Sequence, residues 1–326
     1  MKKLLSLLLV LVMCLSFVAC GTNNETATAD TATTEATTAP VSKDSTPLLY
    51  KATSDNGGEV WLFGSIHVGN DDMYPLPDYV NNAYNEADSL AVEVDVIDME
   101  ENAMDYVSDY QKVMYLDGTT IKDHISEDLY NDAVKILEDN DYYTSMLDYY
   151  YPSMWSSFIE VFEYENSGYD SKKGIDMHLL NLAKENKKNI VEIESASSQI
   201  TLLGEFSEEL QILQLEEVVA GYNTEESKTY LKDLVSAWTS GNEESITAII
   251  CEDSSSEDYT EEEMKLLEEY NQKMLVDRNI LMADFAEKAL KDGDSVFICV
   301  GTAHIVGEGA MVDLLRDRGY TVEIVK

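Results

Sequence analysis

Six short apolar runs rich in β-branched residues punctuate the chain and predict strands: 48–53, 60–66, 89–96, 189–194, 295–301 and 321–326. The segment "DNGGE" at 55–59 joins the first two as a hairpin turn. The runs at 89–96 and 295–301 are apolar almost throughout, as strands covered on both faces are. Between the runs, apolar positions recur at helical spacing. "PDYVNNAYNEA" at 77–87 opens on proline and predicts a crossover helix. Amphipathic stretches rich in tyrosine and acid fill 99–165, 205–240 and 259–292, and "GEGAMVDLLRDRG" at 307–319 predicts a last helix before the final strand. The pattern is α/β: a central mixed, largely parallel sheet flanked by helices, with a helical insertion or cap in the middle of the chain, about 99–290.

The chain opens "MKKLLSLLLVLVMCLSFVACG". A charged start, a short apolar run and small residues make 1–19 a secretory signal rather than a spanning helix. "FVAC" resembles a bacterial lipobox, with Cys20 as the lipidated residue and Phe17 where leucine is usual. Residues 20–46, rich in Thr and Ala with scattered acids, have little to bury and read as a disordered tether. The folded domain is then 47–326, held through an N-terminal lipid at the extracellular face of a bacterial cytoplasmic membrane.

A net charge of −41 excludes nucleic acid as a partner, because phosphate binding needs clustered Lys and Arg. Cys251 and Cys299 remain after the signal region; they could bridge outside the cytoplasm, but Cys299 lies in a strand run and is read as a buried free thiol.

One local figure occurs twice. "WLFGSIHVG" at 61–69 and "VFICVGTAHIVG" at 296–307 each run from a strand through glycine to histidine three residues on. Neighbouring parallel strands would bring His67 and His304 together at the carboxyl edge of the sheet, where α/β proteins bind ligands. Gly64 and Gly301 are read as tight turns, and Gly69 and Gly307 as keeping the entrance open. Glu93 sits inside the apolar run "LAVEVDV", where an acid needs a partner or a metal. Two histidines with this glutamate make either a metal set or a general base with its orienting partners. Asp95, two residues on, is a second-choice ligand. Ser65 is set aside as a nucleophile, on the reading that it and His67 point to opposite faces. His124 and His178 lie on helical patterns and are read as structural or surface residues, and the tyrosines of 141–155 as helix packing or the lining of a peptide groove.

The two figures, "AVEVD", "GID" at 174–176, "VEIESASSQITLL" at 191–203, "DRN" at 277–279 and the C-terminal strand–helix–strand resemble the TraB/GumN family, whose relatives include the membrane-tethered Tiki metalloproteases of animals. The resemblance covers nearly all of 47–326 in order. It implies a metal-dependent hydrolase, a peptidase acting on an extracellular peptide or protein. It places the family histidines on His67 and His304, the glutamate on Glu93, the Arg-Asn pair on Arg278 and Asn279, the Gly-x-Asp on Gly174 and Asp176, and a further glutamate on Glu194.

Read on their own chemistry, several of these residues keep a second role. Arg278 can hold a substrate carboxylate or an oxyanion, or form a salt bridge to Glu93 or Asp176. Asp176 and Glu194 can be helix caps. Two histidines and a carboxylate suit zinc, manganese, cobalt or iron, and the Tiki likeness favours manganese or cobalt. No H-E-x-x-H helix is present. Two rival readings stand beside this one: a metal-free His67/Glu93 hydrolase of the erythromycin-esterase-like kind, and a surface lipoprotein that captures a peptide or haem without turning it over.

Overall fold

A computed structural model describes residues 45–250 and 259–326. The expectations for the signal 1–19, for lipidation at Cys20, for the tether as far as residue 44 and for Cys251 fall outside those residues.

Six strands form one mixed sheet in the order β4-β3-β5-β2-β1-β6. They are β1 (Leu49–Thr53), β2 (Glu59–Ser65), β3 (Ser89–Val92), β4 (Asn189–Glu192), β5 (Ser295–Gly301) and β6 (Thr321–Ile324). Antiparallel β1 pairs with β2 and β6, while β5 pairs in parallel with both β2 and β3, and β4 in parallel with β3. The hairpin turn closes through Gly57, whose φ of +90° favours glycine. The helix Asp78–Glu86 carries the chain from β2 to β3, and β5, from the far end of the sequence, inserts between them. Residues of β3 and β5 are almost wholly buried, as their continuous apolar character requires.

β3 ends sooner than its apolar run predicts. Asp95 turns its side chain to accept the backbone N–H of Asp98 at 3.0 Å and starts the helix Val96–Glu101. A carboxylate cap replaces the last four residues of the predicted strand with a turn into the helix.

The two faces of the sheet bury different cores. Phe63 and Phe297 join the large cluster shared with the helical middle, including Trp155 on the helix Pro152–Asn166. Leu62 and Ile298 face the other way, against Met282 and Ala286 on the helix Asp277–Asp292. On the helix Glu225–Ser240, Trp238 reaches the end of β2, where its indole N–H donates to the Gly64 carbonyl at 2.8 Å. Among the described residues, no helix is long and apolar enough to cross a membrane. Cys299 is a buried free thiol.

Candidate functional site

β2 and β5 lie side by side in parallel, with Ser65 paired to Gly301. The two histidine figures therefore leave the sheet at the same edge. After β2 the chain runs Ile66–Gly69 against the segment 170–175: the Ile175 N–H donates to the Ile66 carbonyl at 3.0 Å, and Gly69 and Asp170 exchange backbone bonds of 3.0 and 2.9 Å. After β5 the short helix Thr302–Ile305 begins directly, and it carries His304.

The glycines of the figures are there for close approach. Neither Gly64 nor Gly301 has a positive φ. A Cβ on Gly64 would stand 2.5 Å from Thr302 Oγ1, on Gly69 2.1 Å from the Lys173 carbonyl oxygen, and on Gly174 2.5 Å from the His67 carbonyl oxygen. Gly69 thus seals the loop against its neighbour instead of opening an entrance. A Cβ on Gly301 would lie 3.4 Å from Glu93 Oε1, 3.5 Å from His67 Nε2 and 3.6 Å from His304 Cδ2. Both histidines and the glutamate converge on that one point, a small cradle over the Gly301 Cα.

Each imidazole is buried and oriented from behind. His67 Nδ1 bonds Asp176 Oδ2 at 2.9 Å, and Asp176 sits in the first turn of the helix Ile175–Asn186, where the helix dipole favours a carboxylate. His304 Nδ1 bonds Asn279 Oδ1 at 2.7 Å, and Asn279 Nδ2 donates to the Gly309 carbonyl at 3.0 Å. Asn279 is thereby fixed with its oxygen toward His304, which must donate. His67 Nε2 and His304 Nε2 are both buried without a hydrogen-bond partner. The two rings differ in charge. Burial pulls His67 down, but the charge and hydrogen bond of Asp176, helped by Glu93, outweigh it and push the group up to about 9. Burial and the neighbouring Arg278 guanidinium hold His304 well below the usual range.

Glu93 is held at both carboxylate oxygens. Its Oε1 accepts the Gly301 N–H at 2.7 Å, and its Oε2 accepts Arg278 Nη2 at 2.5 Å and Gln199 Nε2 at 3.2 Å. Arg278 also forks onto Glu194, with Nε to Oε1 and Nη2 to Oε2 both at 2.8 Å. Its carboxylate partners are thus Glu93 and Glu194, its Nη1 donates to the Met274 carbonyl at 3.3 Å, and Asp176 is taken by His67. A π-helical turn, Gln272–Val276, immediately precedes the helix carrying Arg278 and Asn279. Such turns shift helical register and recur at functional sites; here both residues face inward.

Asp95 does not join this group. Its capping of the helix Val96–Glu101 and an ion pair with Lys184 at 3.0 Å hold it elsewhere, because the strand alternation that would set it beside Glu93 stops at Val92. Gln199, which donates to Glu93 and at 2.9 Å to Glu194, does join, although the sequence pattern does not single it out. The only hint of it is its place in "ESASSQ", just past Glu194 on the helix Ala196–Glu205. The reading that sets Ser65 on the opposite face from His67 also needs correction. His67 lies past the end of β2, so strand alternation does not relate its side chain to that of Ser65, which pairs with Gly301. His124 stacks on Tyr115 at 4.1 Å, and His178 lies 4.6 Å from the Tyr74 ring, both apart from the cradle.

Among the described residues, no group of three or more His, Cys, Asp or Glu side chains is arranged to enclose a metal ion. The donor chemistry nonetheless fits one: two imidazole Nε2 atoms without partners, each with its other nitrogen held by a carboxylate or amide oxygen, are what metal-binding histidines present. Glu93 Oε1, bonded once and facing the same point, is the available oxygen donor.

No solved structure matches the chain. Two proteins, each named "Uncharacterized protein YbaP", from Escherichia coli (strain K12) and Shigella flexneri, are 24% identical to it over 261 residues, covering 78% of this chain and 87% of theirs. The profile of the TraB/PrgY/gumN family matches residues 48–324, from β1 to the last strand and across every residue of the cradle. The chain belongs to the TraB/PrgY/gumN family.

Proposed function

We propose that the protein is a metal-dependent hydrolase, a peptidase tethered to the membrane through a lipid on Cys20 and acting on an extracellular peptide or protein. One observation carries the reading: His67 Nε2 and His304 Nε2 are buried and unpartnered, and His67 Nε2, the edge of the His304 ring and Glu93 Oε1 gather about a single point. Buried polar atoms are almost always satisfied, so a pair of orphans in matched settings calls for a ligand.

In this reading the two Nε2 atoms hold a divalent cation, with manganese, cobalt and zinc all compatible with the donors. Such an ion supplies Lewis acidity to a carbonyl oxygen and makes a water acidic. The protein's own groups do the rest. Asp176 and Asn279 fix the ring orientations from the Nδ1 side, so that the Nε2 atoms are the ones free for a ligand, with a metal taking the place of the His67 proton. Arg278, buried and doubly paired, keeps a positive charge beside Glu93 that can favour an oxyanion. Glu93 is tied by Gly301, Arg278 and Gln199, which argues for holding and orienting over free proton transfer, and against the metal-free His67/Glu93 alternative. The lipid anchor and the substrate class rest on the sequence and the family likeness alone.

The deciding experiment is metal analysis of the purified domain, wild type against His304→Ala. Stoichiometric Mn, Co or Zn in the wild type and its loss in the variant is the expected result. A wild type that takes up no divalent metal sinks the proposal.

A further inference from the structure

The two histidine figures share a feature beyond glycine and histidine: each has a hydroxyl residue directly after its glycine, Ser65 in "GSIH" and Thr302 in "GTAH". Both hydroxyls are buried, and neither Ser65 Oγ nor Thr302 Oγ1 has an oxygen or nitrogen hydrogen-bond partner. The sheet separates them. Thr302 Oγ1 packs over Gly64, on the face of Leu62 and Val300. Ser65 shares the face of Phe63 and Cys299 and is the direct lateral partner of Gly301. Paired residues on neighbouring strands point the same way and stand about 5 Å apart. The Ser65 side chain therefore stands beside the place a Gly301 Cβ would take, which is where His67 Nε2 and Glu93 Oε1 meet. Behind Ser65 is the Cys299 thiol: a hydrogen bond from Ser65 favours its charged form, but burial, then the charges of Asp176 and Glu93, outweigh it and keep the thiol neutral, a poor acceptor.

We infer that Ser65 Oγ is a hydrogen-bond donor to the ligand oxygen that occupies the cradle, a carbonyl, carboxylate or hydroxamate oxygen of the bound substrate or inhibitor. A serine hydroxyl buried against a neutral thiol, with no better acceptor, is poorly satisfied, and alanine would remove that cost. Its presence at the cradle is explained by a partner that arrives with the ligand. The inference rests on the metal reading above and extends it to the substrate oxygen.

The test uses the purified chain titrated with Co²⁺, then with acetohydroxamate, followed by visible absorption and thermal melting. Ser65→Ala should take up Co²⁺ with wild-type stoichiometry and melt at the same temperature or higher. Its affinity for acetohydroxamate should fall about tenfold, the scale of one lost hydrogen bond. Ser65→Thr, which keeps the hydroxyl, should bind the probe like the wild type. Equal affinity in Ser65→Ala and wild type overturns the inference. Loss in both variants marks a packing defect and overturns it as well, as does a lower melting temperature with lost Co²⁺ in Ser65→Ala. A wild type that binds no Co²⁺ removes the metal reading, and the Ser65 assignment falls with it.

Discussion

His304 donates its Nδ1 proton to Asn279 Oδ1 at 2.7 Å, and the Asn279 amide is itself pinned by the Gly309 carbonyl. This chain of two bonds sets the tautomer of a ring that burial keeps neutral. Asn279→Ala releases the ring and leaves a buried N–H without an acceptor. We expect metal affinity to fall by about ten- to a hundredfold, the range for lost partners of ligating histidines. Competition against a chelating dye measures it. Asn279→Asp, which still accepts, should retain most of the affinity.

The two imidazoles predict opposite pH responses of the metal-free fold. His67 is raised from 6.5 to about 9. Its contribution to stability is therefore complete below pH 6.5 and disappears as pH rises through about 9. A tenfold change in proton affinity corresponds to about 1.4 kcal/mol, which puts the loss at about 3 kcal/mol. His304 is lowered, so it lends stability above pH 6.5 that is lost as pH falls below that value. On these two groups, stability peaks near neutral pH. Urea unfolding between about pH 5 and 9.5, with chelator present, reads the curve, and Asp176→Asn should flatten its alkaline side. If the alkaline side is already flat in the wild type, the Asp176 bond does not hold a charged His67. Metal must also displace the His67 proton, so uptake should release a proton and tighten as pH rises toward about 9.

The strands of this fold were legible because each is a short run rich in apolar and β-branched residues, and the burial of β3 and β5 follows from their nearly continuous apolar character. The meeting of His67 and His304 was legible for the same reason: both leave a buried strand after the same interval. What the pattern could not show was the end of a strand. Asp95 is a neighbour of Glu93 only if β3 continues, and a side-chain cap decides otherwise. Gln199 was hidden for a different reason. A glutamine in a helix carries no charge to mark it as buried, and its two carboxylate contacts exist only once Glu93 and Glu194 are brought together by Arg278.

Arg278 lies buried between two carboxylates, and removing it leaves both without their counter-charge. Arg278→Ala should cost about 3–5 kcal/mol, the usual result of breaking a buried ion pair from one side. Arg278→Lys should recover only part of this, because an ammonium cannot reproduce the fork onto Glu194 while also reaching Glu93. Denaturant midpoints of the two variants at neutral pH give the comparison. Equal midpoints for lysine and arginine would show that charge alone matters here.

Gly64 and Gly301 hold the same place in their figures and should fail in different ways. At Gly64 a methyl group would stand 2.5 Å from Thr302 Oγ1 and 2.9 Å from Thr302 Cα, closer than packed atoms allow. Thr302 opens its own short helix and cannot withdraw without moving His304 two residues on. Gly64→Ala should therefore destabilise the fold by about 1–3 kcal/mol, as overpacking does. At Gly301 the nearest atoms are 3.4 Å or more away, ordinary contact distances, and the backbone suits any residue. Gly301→Ala should keep its denaturant midpoint near that of the wild type. The added carbon stands where Glu93 Oε1 and His67 Nε2 face one another, so it fills the cradle itself. Divalent metal should bind poorly, or not at all, in a protein that is otherwise folded. Calorimetric titration with Mn²⁺ or Co²⁺ against both alanine variants separates the two effects. Wild-type metal affinity in Gly301→Ala would place the binding point away from this glycine.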